Sequence, residues 1–327
     1  MAENVLELDN LVAYYKILKG DVKALDDINL KLQRGEILGV AGESGCGKST
    51  LAYTLINRED PLRHISGSAY LNGEDIMQMS EKNLRKRRLN NMALIPQYAL
   101  DAFSHTKKIR THLRDMVREH GVKTNSQFWD KVEERFKLVN LETKVLDRYP
   151  MELSGGMKQR VIMIISSILD PDFMIADEIT SALDVTSQRF VTNLLADLRD
   201  KDIIGSAVFI THDLAIMYQI ADRIMVMYAG RMSEVGPAKS IMHDPSHPYT
   251  EALIASLPRV GIQHRDRRLK GIKGTPPDLI DIGPGCRFRF RCKYATEKCE
   301  ENPGREQLGE RHFVRCWHHE KVGSDGE

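Results

Sequence analysis

The sequence predicts an α/β fold: a core with an antiparallel β portion and a helical subdomain, plus a small C-terminal cysteine-rich domain. Three observations lead there. Short apolar runs at Glu36 to Ala41, Phe173 to Ala176 and Ala207 to Ile210 each give way to glycine or polar residues. Buried parallel strands do this at the sheet edge where ligands gather. A charged, helix-like stretch interrupts these runs, and after about residue 245 the chain becomes rich in Pro, Gly and Cys.

In chain order, the first run ends in the glycine-rich segment that begins at Gly42, and Lys48 to Ile56 then reads as a helix. Residues of about 98–171 read as a helical insertion, with Phe128 to Asn140 as one helix and another starting at Gly155. Arg223 to Val235 reads as a hairpin turning at Ala229-Gly230. The prolines and glycines at His247-Pro248-Tyr249, Pro258, Gly274-Thr275-Pro276-Pro277 and Gly283-Pro284-Gly285 mark a boundary. They divide a first domain, 1–245, from a loop-rich second, 246–327, whose last residues from Val322 read as a frayed end.

With 42% apolar and 28% charged residues, the 327-residue chain has the balance of a soluble globular protein. Its formal net charge of +1 lacks the basic excess of a nucleic-acid binder. The opening Met-Ala-Glu-Asn-Val-Leu-Glu lacks the basic and apolar regions of a secretion signal. No run approaches the roughly 18–20 apolar residues that span a bilayer. The expectation is an intracellular chain whose membrane role is peripheral.

Gly42-Glu43-Ser44-Gly45-Cys46-Gly47-Lys48-Ser49-Thr50 satisfies the P-loop pattern between a predicted strand and helix. Its glycines let successive N–H groups turn toward phosphates, and the helix N-terminus adds its positive end. Lys48 supplies a cation for the β- and γ-phosphates of ATP, and Ser49 a hydroxyl for Mg²⁺. The run Phe173-Met174-Ile175-Ala176 delivers two acids at its end. Asp177 suits the Mg²⁺ shell, and Glu178 is the candidate general base for the attacking water.

The chain resembles the ABC ATPases. Leu153-Ser154-Gly155-Gly156-Met157 looks like their signature motif and Ser181-Ala182-Leu183-Asp184 like their D-loop. Ile210-Thr211-His212-Asp213 looks like their switch-histidine strand end, and the order of motifs, with Gln97 between loop and signature, is theirs over roughly residues 5 to 240. Ser154 is also a natural N-cap, and Gly155 and Gly156 leave the first-turn N–H groups bare. The resemblance implies that the signature of one subunit closes on the ATP of another. It further implies that His212 contacts the γ-phosphate, that Gln97 senses Mg²⁺ and the membrane partner, and that Tyr15 stacks on adenine; Tyr14 remains possible after a one-residue shift.

Three positions depart from that pattern. Ile179 stands where Pro usually follows the glutamate. The segment Tyr98-Ala99-Leu100-Asp101-Ala102-Phe103-Ser104-His105 lacks an Asn-Pro that relatives often carry. Cys46 lies inside the loop, where a helix N-terminus can lower a thiol pKa, although a tolerated small residue is the simpler reading.

The remaining cysteines follow the spacing Cys286-x5-Cys292-x6-Cys299-x16-Cys316. Four thiolates suit tetrahedral Zn²⁺ or an iron–sulfur cluster, and Arg287, Arg289, Arg291 and Lys293 frame the first two. His312, His318 and His319 leave a Cys₃His zinc site open. Here His247-Pro248-Tyr249-Thr250-Glu251-Ala252-Leu253 and Pro284-Gly285-Cys286-Arg287-Phe288, with Arg291-Cys292, resemble the C-terminal extension of oligopeptide/dipeptide permease ATPases. That resemblance implies a [4Fe-4S] cluster with a structural role, Zn²⁺ being the alternative.

It also implies an ATPase subunit at the cytoplasmic face of the membrane, energising import of di- or oligopeptides. Its partners would be two membrane permease subunits, a second and paralogous ATPase subunit, and an extracellular substrate-binding protein. The same role for nickel or oligosaccharide import is the alternative, and a non-transport ABC ATPase the remote one.

Overall fold

The structure, a computed structural model, describes residues 3–97, 99, 103–181, 183–257, 271–280 and 282–323. Of the positions singled out above, Tyr98, Leu100, Asp101, Ala102, Ala182, Pro258 and residues 324–327 lie outside the described residues.

Two sheets organise the chain. The first is antiparallel, in the order β2-β1-β4-β5, from β1 (Asn4–Ile17), β2 (Gly20–Gln33), β4 (Leu62–Leu71) and β5 (Glu74–Asp75). The second has eight strands in the order β11-β12-β10-β9-β3-β8-β7-β6. These are β3 (Ile37–Ala41), β6 (Met92–Ile95), β7 (Phe173–Asp177), β8 (Ala207–Ile210), β9 (Arg223–Tyr228), β10 (Arg231–Pro237), β11 (Glu306–Gly309) and β12 (His312–Val314). Its centre, β9-β3-β8-β7-β6, is parallel, so the ends of β3, β7 and β8 open on one edge.

Side chains of the central strands alternate between two cores, as the period-2 geometry of a strand requires. Leu38 and Val40 of β3, Phe173 and Ile175 of β7, and Val208 and Ile210 of β8 pack toward the antiparallel sheet and α1 (Lys48–Ile56). Ile37 and Ala41, Met174 and Ala176, and Ala207 and Phe209 pack against helices on the opposite face. A strand covered on both faces has no polar position to spend, which is why these runs are continuously apolar. Each fully buried Leu, Ile or Phe contributes roughly 1.5–3 kcal/mol.

The helices are α1, α2 (Glu81–Arg87), α3 (Ile109–Glu119), α4 (Ser126–Leu138), α5 (Gly155–Ser167), α6 (Val185–Asp200), α7 (Leu214–Ile220), α8 (Ala238–His243) and α9 (Pro248–Ala255). The insertion consists of α3, α4 and α5 with short 3-10 turns between them. Helix α4 buries Phe128, Val132 and Phe136, one stripe at helical spacing, and keeps its charges outward. The hairpin β9–β10 turns at Ala229 and Gly230, both at positive φ.

Described residues after 246 are joined to the core. β12 pairs antiparallel with β10 through Glu234↔Val314 and Val235↔Phe313, so the tail extends the main sheet. Ion pairs fasten it further: Arg311 to Glu36, Arg287 to Asp26, Arg315 to Asp27 at 2.7 Å and Arg291 to Glu43 at 2.6 Å. Glu36, 4% exposed, also holds Arg223 Nε at 2.6 Å, so one buried carboxylate joins the start of the core sheet, β9 and the tail. Among the described residues no helix is long and apolar enough to cross a membrane.

Candidate active site

The loop after β3 turns back on itself through residues that only glycine suits. Gly42 has φ 146° and Gly47 φ 108°. A Cβ at Gly42 would lie 2.2 Å from the Met227 carbonyl oxygen, and one at Gly47 2.4 Å from that of Ala24. Both contacts are with backbone, which cannot yield as a side chain would. The loop thus opens a cleft of about 390 Å³, lined by Gly42, Ser44, Gly45, Gly47, Lys48, Ser49, Thr50, Gln97, Glu178 and His212. Lys48 Nζ donates to the carbonyls of Gly42 at 2.8 Å and Glu43 at 3.1 Å.

Opposite the loop, the ends of β7 and β8 and the segment after β6 deliver the reactive groups. Gln97 Nε2 donates to Glu178 Oε2 at 3.1 Å, and His212 Nδ1 stands 3.7 Å from the same oxygen. Glu178 has φ 49°, a left-handed conformation uncommon for a side-chain-bearing residue, fixed by its N–H to Ile210 O (2.9 Å) and its carbonyl to Ser181 Oγ (2.8 Å). Asp177, 1% exposed, sits behind it beside Ser49. Burial pushes its carboxyl above the usual range, while the Ser49 hydroxyl and the Lys48 cation pull the other way. Its buried Oδ1 has no hydrogen-bond partner among the described residues. An all-oxygen set with an orphaned buried carboxylate oxygen fits a hard divalent cation such as Mg²⁺.

Several expected residues lie elsewhere. Glu43 and Cys46 belong to the loop but not to the cleft lining. Cys46 is 4% exposed, and burial pushes its thiol pKa up, so desolvation outweighs the helix N-terminus that suggested a lowered value. Tyr15 is outside the lining too; its hydroxyl meets Thr50 Oγ1 at 3.3 Å. Ser154 caps α5, accepting from Met157 N–H at 3.3 Å, with nothing within 4 Å of a Cβ placed on Gly155. Asp184 caps α6 through Ser187, N–H at 2.9 Å and Oγ at 2.7 Å. Ser154, Gly155, Gly156 and Asp184 therefore do not enter the cleft of their own chain.

With the loop, Glu178, Gln97 and His212 on one cleft and Asp177 buried behind it, similarity to known proteins is decisive. The sequence matches the ABC transporter family over residues 25–181 and the oligopeptide/dipeptide transporter C-terminal region over residues 233–299. It is 38% identical over 316 residues to the dipeptide transport ATP-binding protein DppD of Caldanaerobacter subterraneus subsp. tengcongensis, covering 95% of this chain and 96% of that one. It is also 38% identical to the dipeptide transport ATP-binding protein DppF of Haemophilus influenzae, covering 96% of each. The chain belongs to the ABC ATPases of the oligopeptide/dipeptide permease family. The dimeric ABC transporter cassette MJ0796 shares the fold, with a TM-score of 0.63 at 23% identity over 71% of this chain and 98% of that one. This ABC ATPase is accordingly an ATP-hydrolysing subunit.

For the cysteine tail the expectation was an iron–sulfur or zinc site. Among the described residues no three His, Cys, Asp or Glu side chains stand close enough to hold a metal ion. The histidines of the Cys₃His alternative are engaged elsewhere: His312 with Glu234 at 2.9 Å, His318 with Thr296 at 2.8 Å and His319 with Glu306 at 3.1 Å. Cys286, Cys292, Cys299 and Cys316 nevertheless share a neighbourhood, Cys286 N–H donating to Cys299 O at 2.8 Å. Burial first, and then the other thiols, push Cys292 up to about 11 and Cys316 up to about 12.

Sequence reasoning missed the function of Gln159, Tyr249 and Arg291. Gln159, 4% exposed, donates from Nε2 to Ile179 O at 2.6 Å, tying the signature helix to the residue after Glu178. Tyr249 and Arg291 reach Glu43 across the chain. A Gln inside an apolar helix was a usable signal; the other two gave none locally.

Proposed function

We propose that this chain hydrolyses ATP to drive import of di- or oligopeptides through a binding-protein-dependent transporter. The observation that carries the chemistry is the convergence of Gln97 and His212 on one oxygen of Glu178, across the cleft from Lys48. Water between Glu178 and the γ-phosphate attacks phosphorus, the bond to the β–γ bridging oxygen breaks, and ADP and phosphate result. Glu178 accepts the water's proton, Gln97 donates to its carboxylate, and His212 is read as the contact to the γ-phosphate. Lys48 balances charge on the phosphates. Ser49, Asp177 and Gln97 would hold Mg²⁺, which when bound supplies charge neutralisation on the β- and γ-oxygens. Tyr15 is read as the adenine platform.

Half of each site is missing from its own chain. The bare N-terminus of α5 at Ser154, Gly155 and Gly156 supports closure on the nucleotide of a second ATPase subunit, a paralogue in this reading. Two permease subunits and an extracellular binding protein complete the assembly, with this subunit at the cytoplasmic face. The names of the relatives, dipeptide transport ATP-binding proteins, support a peptide cargo.

The same reading assigns residues 1–245 to the ATP-binding domain and 246–327 to the permease-type extension. In the extension, Cys286, Cys292, Cys299 and Cys316 would hold a [4Fe-4S] cluster. Four thiolates suit such a cluster, with a tetrahedral Zn²⁺ as the alternative. Backbone N–H groups of Tyr294 and His318 donate to Cys292 Sγ (3.4 Å) and Cys316 Sγ (3.3 Å), which offsets part of the upward push of burial on these thiols. Anaerobically purified chain should carry stoichiometric iron and acid-labile sulfide; a colourless, iron-free chain of full stability rejects the cluster.

The function is tested by reconstituting the subunit with its cognate permeases and binding protein. ATP turnover should rise with peptide-loaded binding protein. Stimulation by a sugar or a nickel complex, with none by peptides, overturns the assigned cargo.

A further inference from the structure

Glu43 is a loop residue outside the cleft lining, and the C-terminal part of the chain grips it twice. Its N–H donates to Tyr249 Oη at 2.8 Å, and its carboxylate takes both Arg291 Nη1 (2.6 Å) and Nη2 (3.0 Å). Neither gripping residue has freedom of its own. Tyr249 is fully buried, its ring 4.6 Å from that of Tyr228 and 5.3 Å from that of Phe288. Arg291, with a side chain 5% exposed, also donates to Tyr228 Oη (3.1 Å), Lys273 O (2.8 Å) and Ile272 O (3.3 Å). Its guanidinium lies 5.7 Å from the Tyr228 ring centre and 5.9 Å from that of Phe288. A bidentate pair fixes orientation as well as distance. The carbonyls of Gly42 and Glu43 are in turn the acceptors of Lys48 Nζ, so what fixes Glu43 also fixes the lysine's reach.

We propose that Tyr249 and Arg291 are positioning residues for ATP, holding the phosphate loop in its binding shape from behind through Glu43. This rests on the reading of that loop as the nucleotide site. A loop ordered in advance does not surrender its backbone freedom when ATP arrives. Ordering one residue costs enough that losing the grip should weaken binding on the order of ten-fold. The reacting groups Glu178, Gln97 and His212 are untouched, so turnover at saturating ATP stays as it was.

The test uses the full chain for equilibrium binding of a fluorescent ATP analogue with Mg²⁺, and the assembled transporter for KM and kcat. Tyr249→Phe, which keeps the ring stack and removes only the acceptor, and Arg291→Met should each raise Kd and KM about ten-fold. The kcat should stay within about two-fold of the parent, since no transition-state contact is removed. Glu43→Gln combined with Arg291→Met should be no worse than Arg291→Met alone, because both act through one pair. Parent-like KM in folded Tyr249→Phe and Arg291→Met, alongside lost binding in Lys48→Ala, overturns this inference alone. Additive losses in the double variant overturn the Glu43 route. Retained binding in Lys48→Ala would instead reject the nucleotide-site reading beneath it.

Discussion

Gln97 Nε2 donates to Glu178 Oε2 at 3.1 Å, and the same oxygen stands 3.7 Å from His212 Nδ1. One carboxylate oxygen thus receives two elements of the chain, the segment after β6 and the end of β8, at the cleft above Lys48. Glu178→Gln keeps the shape but loses the proton acceptor. Turnover in the assembled transporter should fall about 10²–10⁴-fold with ATP binding retained. Normal hydrolysis by this variant would remove Glu178 from the role of general base.

Gly42→Ala should be the most damaging single methyl in the loop. The added Cβ would sit 2.2 Å from Met227 O and 2.7 Å from Cys46 Sγ, at a φ of 146° that side chains rarely adopt. Binding of the fluorescent nucleotide should be lost, and the melting temperature should drop. Unchanged binding would mean that the loop relaxes at no cost.

The pair Arg223–Glu36 is buried, at 6% and 4% side-chain exposure. Arg223→Met leaves the Glu36 charge with Arg311 and the Gln33 N–H alone. Chemical denaturation should report a loss of about 3–5 kcal/mol. Arg311→Ala, whose side chain is 29% exposed, should cost less. If the two losses were equal, the tail contact would rank with the core contact.

His247 is buried and uncharged, its pKa driven down to about 4 by desolvation. Its Nδ1 accepts the Tyr249 N–H at 2.9 Å and so caps α9. A depressed folded-state pKa gives stability that is present above the unfolded value of about 6.5 and is lost as pH falls toward 4. Melting temperature should therefore decline across that window, and His247→Asn, which can still cap, should flatten the decline. An identical pH profile in the variant would assign the acid sensitivity to other groups.

Much of this fold was legible because its central strands are buried on both faces. Ile37 to Ala41, Phe173 to Ala176 and Ala207 to Ile210 declare themselves as unbroken apolar runs, and the loop and helix after Ala41 follow as read. Lys48, Ser49, Gln97, Glu178 and His212 were readable from motif and from the order of motifs, and they line one cleft. The strands β11 and β12 were not: short, largely exposed and polar, they gain meaning only beside β10. Nor could Glu43 announce its partners, because Tyr249 and Arg291 are more than two hundred residues away and local periodicity carries no information over that span. The lowered thiol pKa that the helix terminus suggested for Cys46, beside the simpler reading of a tolerated small residue, fails for a related reason. A helix terminus is written in sequence, whereas the burial that dominates its thiol is a property of the assembled core.

The pairing of β12 with β10 has a consequence for the chain's life in a crowded cell. Without it, β10 would offer a row of unpaired N–H and C=O groups beside buried Met232 and Val235, a template for any passing strand. The outermost strand is instead β11, four residues long with Glu306 and Gln307 exposed and a glycine at its end, a poor seed for further addition. The C-terminal segment thus covers this edge, and a chain cut at residue 245 should aggregate more readily than the full chain.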